Sequence, residues 1–404
     1  MLMDPHGRKI RLNLMEISGS LGDLATFLPL SIGLIAVNGV NATSLFLTTG
    51  LAYIAAGLYF GIPMPVQPLK ATSAIAIAMA VGPDAISAVA LWMGVLLVLL
   101  SLFDMKRIFD RSFPRPIVRG IQLGLGILLV KGGWKAIFGG DDPAVPGMAG
   151  LPVLYCVAIA TVCGGIIAFS RESRRYPAAL AVTAFGLLCG LLLSPSWGAS
   201  FPATGWIRPE WGLPIDVDSF TVLVLLLPQI PLTFANSLVA TAETSRQYFG
   251  EDSRRVTIRG LSASLGALNL FAGLVGGMPV CHGSGGLTAH YRFGARTGGA
   301  NLFIGGLFVL LALLFGGSIP KIVGLLPMSI LGVMLIYVGI QHARLVSDVM
   351  AAPRELAVAG SIGVLTLATG NLAVAFIVGI VMNEIRGKFF RKDACQKAAW
   401  EKTS

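Results

Sequence analysis

Charge is scarce in this chain. Only 12% of its 404 residues are Asp, Glu, Lys or Arg, about half the share of a soluble domain. With 55% apolar residues and a mean hydropathy of +0.78, this excludes a water-soluble globule, which could not hide so much apolar surface. Cysteine and histidine are scarce too. Cys156, Cys163, Cys189, Cys281 and Cys395 form no CxxC, and there are only four histidines. Cys281-His282 is one Cys beside one His, too little for a metal site. No nucleophile–base pair or nucleotide loop stands out, so neither an enzyme nor a cofactor is expected. No removable leader is expected either: Met1 to Asn13 is short and basic, and the apolar run after it continues as a full span.

Glycine and proline are plentiful, with 50 and 22 residues, most of them inside apolar runs. Membrane helices tolerate both more readily than soluble ones. A crossing takes about 20 residues. The runs predict fourteen spans near 17–38, 44–61, 66–81, 85–103, 116–133, 151–169, 177–194, 219–242, 258–275, 281–292, 299–318, 322–340, 356–369 and 371–385. Placing both termini inside puts nearly all of the 30 Lys and Arg on the cytoplasmic side. Only Lys131, Lys135, Arg208 and Lys321 fall opposite, and Lys70 lies within a span. The positive-inside rule therefore accounts for the net charge of +10, and no nucleic-acid partner is expected.

Met64-Pro65-Val66-Gln67 returns as Met278-Pro279-Val280-Cys281. Each string opens a short Gly/Ala/Ser-rich span, the third and the tenth. Seven spans separate them, and an odd separation makes the halves run in opposite directions, as in an inverted repeat. The first and eighth spans also match loosely, through Asp23, Thr26 and Pro29 against Pro228, Gln229, Pro231 and Asn236. Paired, interrupted spans at equivalent places point to a secondary transporter's binding site. A half-helix that starts in mid-membrane aims free N–H groups and about half a positive charge into that site.

Four stretches carry a resemblance. Gly22-Asp23-Leu24-Ala25-Thr26-Phe27-Leu28-Pro29, Pro63-Met64-Pro65-Val66-Gln67-Pro68-Leu69-Lys70, Gln229-Ile230-Pro231-Leu232-Thr233-Phe234-Ala235-Asn236-Ser237 and Pro279-Val280-Cys281-His282-Gly283-Ser284-Gly285-Gly286 resemble the molybdate transporter family. That family is a STAS-less branch of the SulP sulfate-permease superfamily. The stretch Tyr291-Arg292-Phe293-Gly294-Ala295-Arg296-Thr297-Gly298-Gly299 is similar to its signature too. The resemblance implies an all-α polytopic membrane protein with the 7+7 inverted-repeat fold shared with uracil permease. It implies a core domain from 1–103 and 219–319, a gate domain from 104–218 and 320–387, and a tail, 388–404, without a STAS domain. Some relatives carry an arginine at the start of the tenth span, where this chain has His282-Gly283-Ser284-Gly285.

Within this frame, Lys70 is the one basic residue deep in a span. A lysine at the bilayer centre costs about 2.5–3.5 kcal/mol on insertion scales, so it is expected to hold an oxyanion, to pair with Asp23 or to snorkel to the interface. Asp23 is the candidate proton carrier, or else the partner of Lys70. Gln67, Ser284, Gln229, Asn236 and Thr26 offer neutral groups at substrate depth, with helix–helix bonding as the alternative. Gly283, Gly285 and Gly286 would let backbone N–H groups approach an anion, or let helices pack. Glu243 reads as interfacial. Asn41-Ala42-Thr43 spells a glycosylation sequon in an outside turn.

These residues favour an importer of tetrahedral oxyanions, molybdate first and sulfate second, coupled to protons. A nucleobase or other small-anion permease on the same fold is the alternative. It is disfavoured because Gln229, Asn236 and Ser284 stand where nucleobase carriers of this fold use carboxylates. The expected partners are the oxyanion, protons and lipid, and a homodimer is left open. The lean, tail-less chain points to a bacterial inner membrane.

Overall fold

The computed structural model describes residues 10–103, 114–138, 153–170, 178–193, 205, 208–209, 211–214, 217–324 and 326–384. Cys395, the tail 388–404 and the basic loops around Lys106 and Arg174 lie outside these residues. The described chain is mostly helix. In the first half, α1 (Leu14–Ser20) passes through a 3-10 turn, Leu21–Asp23, into α2 (Leu24–Ala36). There follow α3 (Ala42–Phe60), an extended β1 (Gln67–Pro68), α4 (Lys70–Met79), α5 (Pro83–Leu102), α6 (Arg115–Phe138), α7 (Val153–Ser170) and α8 (Ala178–Leu193). The second half opens with α9 (Ser219–Leu226), α10 (Gln229–Leu232), a π-helical stretch Thr233–Ala240 and α11 (Thr241–Phe249). It continues with α12 (Ile258–Leu274), β2 (Val280–Cys281), α13 (Ser284–Arg292), α14 (Gly299–Phe315), α15 (Ile319–Gly324), α16 (Met328–Ala343), α17 (Pro353–Thr369) and α18 (Leu372–Glu384).

Local chemistry sets these boundaries. Pro83 takes the first position of α5, where its missing N–H is harmless. Gly370, at φ +67°, ends α17 in a left-handed turn that separates it from α18. Asn41 of the sequon caps α3, its side chain accepting from Ser44 N at 3.0 Å. The run expected at 219–242 continues to Phe249. Pro228 and Pro231 each remove an N–H donor, and the wider π-helical turns that follow absorb the mismatch without ending the helix. Among the described residues, five helices are long and apolar enough to cross a membrane, Ala42–Phe60, Pro83–Leu102, Arg115–Phe138, Ser219–Ser253 and Met328–Val349, and the bent pair Leu14–Asp23 and Thr26–Ala36 makes a sixth if it is one span. Apolar helices such as α12 and α14 are shorter.

The strings around Pro65 and Pro279 are unwound, and β1 and β2 pair there as antiparallel strands. The register sets Gln67 opposite Cys281 and Pro68 opposite Val280. Buried amides satisfy the backbone that helices would otherwise have bonded. Asn269 accepts from Val280 N and donates to Val280 O, both at 2.8 Å. Asn301 donates to Met64 O at 2.6 Å.

Around this crossing α3 packs along α14, and α5 along α12. A second group joins α6 to α16 and α17, with α7 and α8 beside them. Glycine permits the closest approaches. A Cβ on Gly50 would stand 2.7 Å from Gly305 O, and one on Gly305 2.6 Å from Gly50 O. Gly126 and Gly339 meet in the same reciprocal way between α6 and α16, as small residues do between membrane helices.

α1 is fastened to the turn between α13 and α14. The buried carboxylate of Glu16 accepts from Arg296 N at 3.1 Å, Thr297 N at 3.0 Å and the Thr297 hydroxyl at 3.0 Å. His290 Nδ1 meets Gly19 O at 2.8 Å.

Candidate functional site

The first turn of α13 is where the candidate residues converge. Asp23, at the end of the 3-10 turn, is 2% exposed. Gln67 donates through Nε2 to its Oδ1, and the Tyr53 hydroxyl donates to its Oδ2 at 3.3 Å. A Cβ on Gly286 would lie 2.7 Å from Asp23 Oδ1 and 2.6 Å from Gln67 Nε2. Both side chains therefore press against the start of α13. One residue earlier the surroundings differ: a Cβ on Gly285 would meet nothing within 4 Å, and Gly285 is exposed.

Lys70 reaches the same place from α4. A Cβ on Gly283 would stand 3.1 Å from Lys70 Nζ and 3.3 Å from Asn236 Nδ2. Lys70 is 8% exposed, yet it makes no hydrogen bond or ion pair with any described residue. Gln67 Oε1 faces Gly283 as well, buried and without a partner. The Ser284 hydroxyl donates to Asn236 Oδ1 at 2.8 Å, which ties α13 to the π-helical stretch. A buried ammonium, an unpaired amide oxygen and an open helix end thus share one small region. An anion would complete all three groups' surroundings with charge-assisted hydrogen bonds.

The two half-helix ends are not alike. Gln229 Oε1 accepts from Ala71 N at 2.8 Å and Thr72 N at 3.2 Å, and its Nε2 donates to Thr233 Oγ1 at 2.8 Å. At 1% exposure, Gln229 serves as the cap of α4, and its groups are already bonded within the protein. Two facing N-termini are expected from the sequence; the structure leaves only that of α13 open. Thr26 lies half-buried in the first turn of α2 and shares no hydrogen bond with these groups. Glu243 is exposed on α11.

His282 holds the crossing in place. Its Nδ1 meets Pro65 O at 2.7 Å, its Nε2 meets Ser264 Oγ at 3.2 Å, and its carbonyl accepts from Thr241 Oγ1 at 2.7 Å. Both ring nitrogens are thus engaged, and no group of metal-ligating side chains occurs among the described residues. Tyr53 and His290 were not candidates in the sequence, where each reads as an ordinary helix residue.

The transmembrane domain of BicA, a cyanobacterial bicarbonate transporter, superposes with a TM-score of 0.65 at 17% identity, over 92% of this chain and 97% of that one. The murine solute carrier 26 family member A9, an anion transporter in the inward-facing state, superposes with a TM-score of 0.67 at 16% identity, over 95% of this chain and 70% of that one. The chain has their fold.

The family described as "Molybdate transporter of MFS superfamily" matches residues 15–129 and 221–341. Molybdate transporter 2 of Arabidopsis thaliana is 31% identical, with 91% of this chain and 86% of that protein aligned. Molybdate transporter 1 of Chlamydomonas reinhardtii is 29% identical, with 91% and 90% aligned. The chain is thus an integral membrane anion transporter and not an enzyme, and it belongs to the molybdate transporter family, as its SulP-related motifs imply.

Proposed function

We propose that this transporter carries a tetrahedral oxyanion, molybdate first and sulfate second, into the cell together with protons. The carrying observation is Lys70: a buried ammonium with no hydrogen bond or ion pair among the described residues, beside the open N-terminus of α13. Gln67, Ser284 and Asn236 would orient the anion there, and the backbone N–H groups from Gly283 to Gly286 would donate to it. Thr26 would line its approach. Gln229 acts at one remove by capping α4.

The charge count favours protons as the coupled ion. Lys70 and one open helix end supply about +1.5, and a dianion brings −2. An ionised Asp23 would add to the excess, so protonation of Asp23 and anion binding favour each other by reciprocal linkage. Energy asks for the same coupling. A dianion entering a cell that is 100 mV negative inside is opposed by about 4.6 kcal/mol, and co-transported protons offset that.

In this reading the chain forms fourteen spans in a 7+7 inverted repeat, with the third and tenth broken at Lys70 and Ser284. Residues 1–103 and 219–319 form the substrate-bearing core, which moves against a gate of 104–218 and 320–387. Both termini face the cytoplasm. The contacts of α3 with α14 and of α5 with α12, apart from the α6–α16–α17 group, support that division. The test is uptake of radiolabelled molybdate, sulfate and uracil by proteoliposomes of the purified protein. Saturable molybdate uptake, competed by sulfate and indifferent to uracil, is expected. Uptake of uracil alone would overturn the proposal.

A further inference from the structure

His290 is a buried base that the oxyanion site does not use. It is fully buried, and among the described residues only its Nδ1 has a hydrogen-bond partner, the Gly19 carbonyl at 2.8 Å. That bond needs the N–H on Nδ1, which leaves Nε2 as a free acceptor. Nε2 is buried without a hydrogen bond. An orphaned buried polar atom costs about 1–3 kcal/mol, so its persistence asks for a use.

Its place in the fold suggests one. Gly286 and His290 are four residues apart on α13, and both lie on its buried face. Such residues stand one above the other, about one helical turn apart. Asp23 presses against Gly286. Tyr53 joins the two levels: its hydroxyl donates to Asp23 Oδ2, and its ring lies edge-to-face with the His290 imidazole, centroids 6.3 Å apart. Acid, phenol and imidazole thus form a column from the oxyanion site toward the end of α13 that carries Arg292.

We propose that His290 is the second station of the coupled proton, receiving it from Asp23 through Tyr53. This rests on the proton-coupled reading of the oxyanion site. In the step, the Tyr53 hydroxyl, which donates to Asp23 in this structure, turns toward His290 Nε2; the proton held by Asp23 moves to the Tyr53 oxygen while the Tyr53 hydroxyl proton moves to Nε2. Asp23 ends as a carboxylate, Tyr53 is unchanged, and His290 is an imidazolium with N–H on both nitrogens. Loss of one proton to water at the arginine-bearing end returns it to neutral.

The other titratable groups around α13 are engaged or exposed. On α1, Glu16 is bonded to the backbone of Arg296 and Thr297. On α11, Glu243 and Arg246 are exposed, and Tyr248 stacks on Tyr291. The π-helical stretch carries no titratable residue. Arg292 is exposed, and Arg296 donates to the carbonyls of Tyr291 and Ala295. Lys70 lies at the other end of the column, beside Gly283.

The experiment compares two rates in proteoliposomes of the full chain: molybdate–molybdate exchange at equal pH, and accumulation driven by an imposed pH gradient. In His290→Asn the amide nitrogen keeps a donor for Gly19 O but cannot take up a proton. Tyr53→Phe keeps the ring against His290 and removes the hydroxyl. In each variant the ratio of driven accumulation to exchange should fall at least about tenfold, the low side of what a positioned proton carrier contributes. If wild type ignores the gradient, the proton-coupled reading itself fails. If wild type is coupled and Asp23→Asn is not, a normal ratio in His290→Asn overturns the role of His290 alone. A parallel loss of both rates in His290→Asn also overturns it, because that is the mark of a structural residue. Should His290→Asn not reach the membrane, a normal ratio in Tyr53→Phe overturns the route.

Discussion

Lys70 and Ser284 are each the first residue of a short helix, and each stands three positions beyond its half of the Gln67–Cys281 pair. They hold equivalent positions relative to the β1–β2 pair, one cationic and one neutral. Gln229 closes the helix that begins with Lys70. The helix that begins with Ser284 stays open, and the lysine of the first half leans toward it. The paired strands thus set two like helix starts side by side, one capped and one open.

Replacing Lys70 with Gln should weaken molybdate binding at least tenfold, because a charge-assisted hydrogen bond contributes about 1.5–3 kcal/mol. Calorimetry on the purified protein measures this directly. An unchanged Kd would make the lysine structural.

Asp23→Asn retains an acceptor for the Tyr53 hydroxyl and loses the titratable group. At fixed external molybdate, uptake by wild type should rise as the outside is acidified, since protonation of Asp23 favours the anion. The variant should lose that dependence. Uptake by Asp23→Asn that still follows the imposed gradient would remove Asp23 from the coupling.

Gln229→Leu should lower the melting temperature, because it leaves the N–H groups of Ala71 and Thr72 buried and unpaired, each costing about 1–3 kcal/mol. Gln229→Glu keeps an acceptor there and should melt closer to wild type. Equal melting of Leu and wild type would contradict the capping role.

Adjacent glycines should respond in opposite ways. A methyl at Gly286 meets Asp23, Gln67 and Pro65, each within 3.0 Å, so Gly286→Ala should abolish binding or folding. Gly285→Ala faces open space and should fold normally while lowering affinity for the larger oxyanion first. Melting curves and molybdate-to-sulfate competition read the two effects.

Away from the site, Arg119 grips Asp348 through Nε at 2.9 Å and Nη2 at 2.5 Å, with Arg115 adding a contact at 3.2 Å. The pair joins the start of α6 to the turn after α16. Its side chains are 26% and 31% exposed, so solvent screens it, and Asp348→Ala should cost only about 1 kcal/mol. A shift in melting temperature of many degrees would mean that this contact braces far more than a surface pair does.

Some of this was legible in the sequence, for definite reasons. Pro65, Pro68 and Pro279 remove backbone donors wherever they stand, so the unwound strings announce themselves locally. Lys70 stood out because an uncompensated ammonium is costly in a membrane. The partners of these groups were hidden. Tyr53 meets Asp23, and His290 meets Gly19, only because helices distant in the chain come together. Asn269 and Asn301 read as polar residues in apolar helices, with nothing local to show that they complete the unwound backbone. Gln229 stood out as a polar residue of the eighth span, but its cap on α4 depends on residues more than 150 positions away.

Glu16 and His290 fasten α1 to the α13–α14 corner, and that stitching sets a frame of reference. The acid on the 3-10 turn and the open end of α13 are riveted to one another, so neither is free to drift when other helices shift around them. Their separation is fixed once, when the chain folds, and does not have to be found again in every turnover. In the proposed proton-coupled cycle, loosening the rivet at Glu16 would therefore blur the match between proton and anion before it slowed either one.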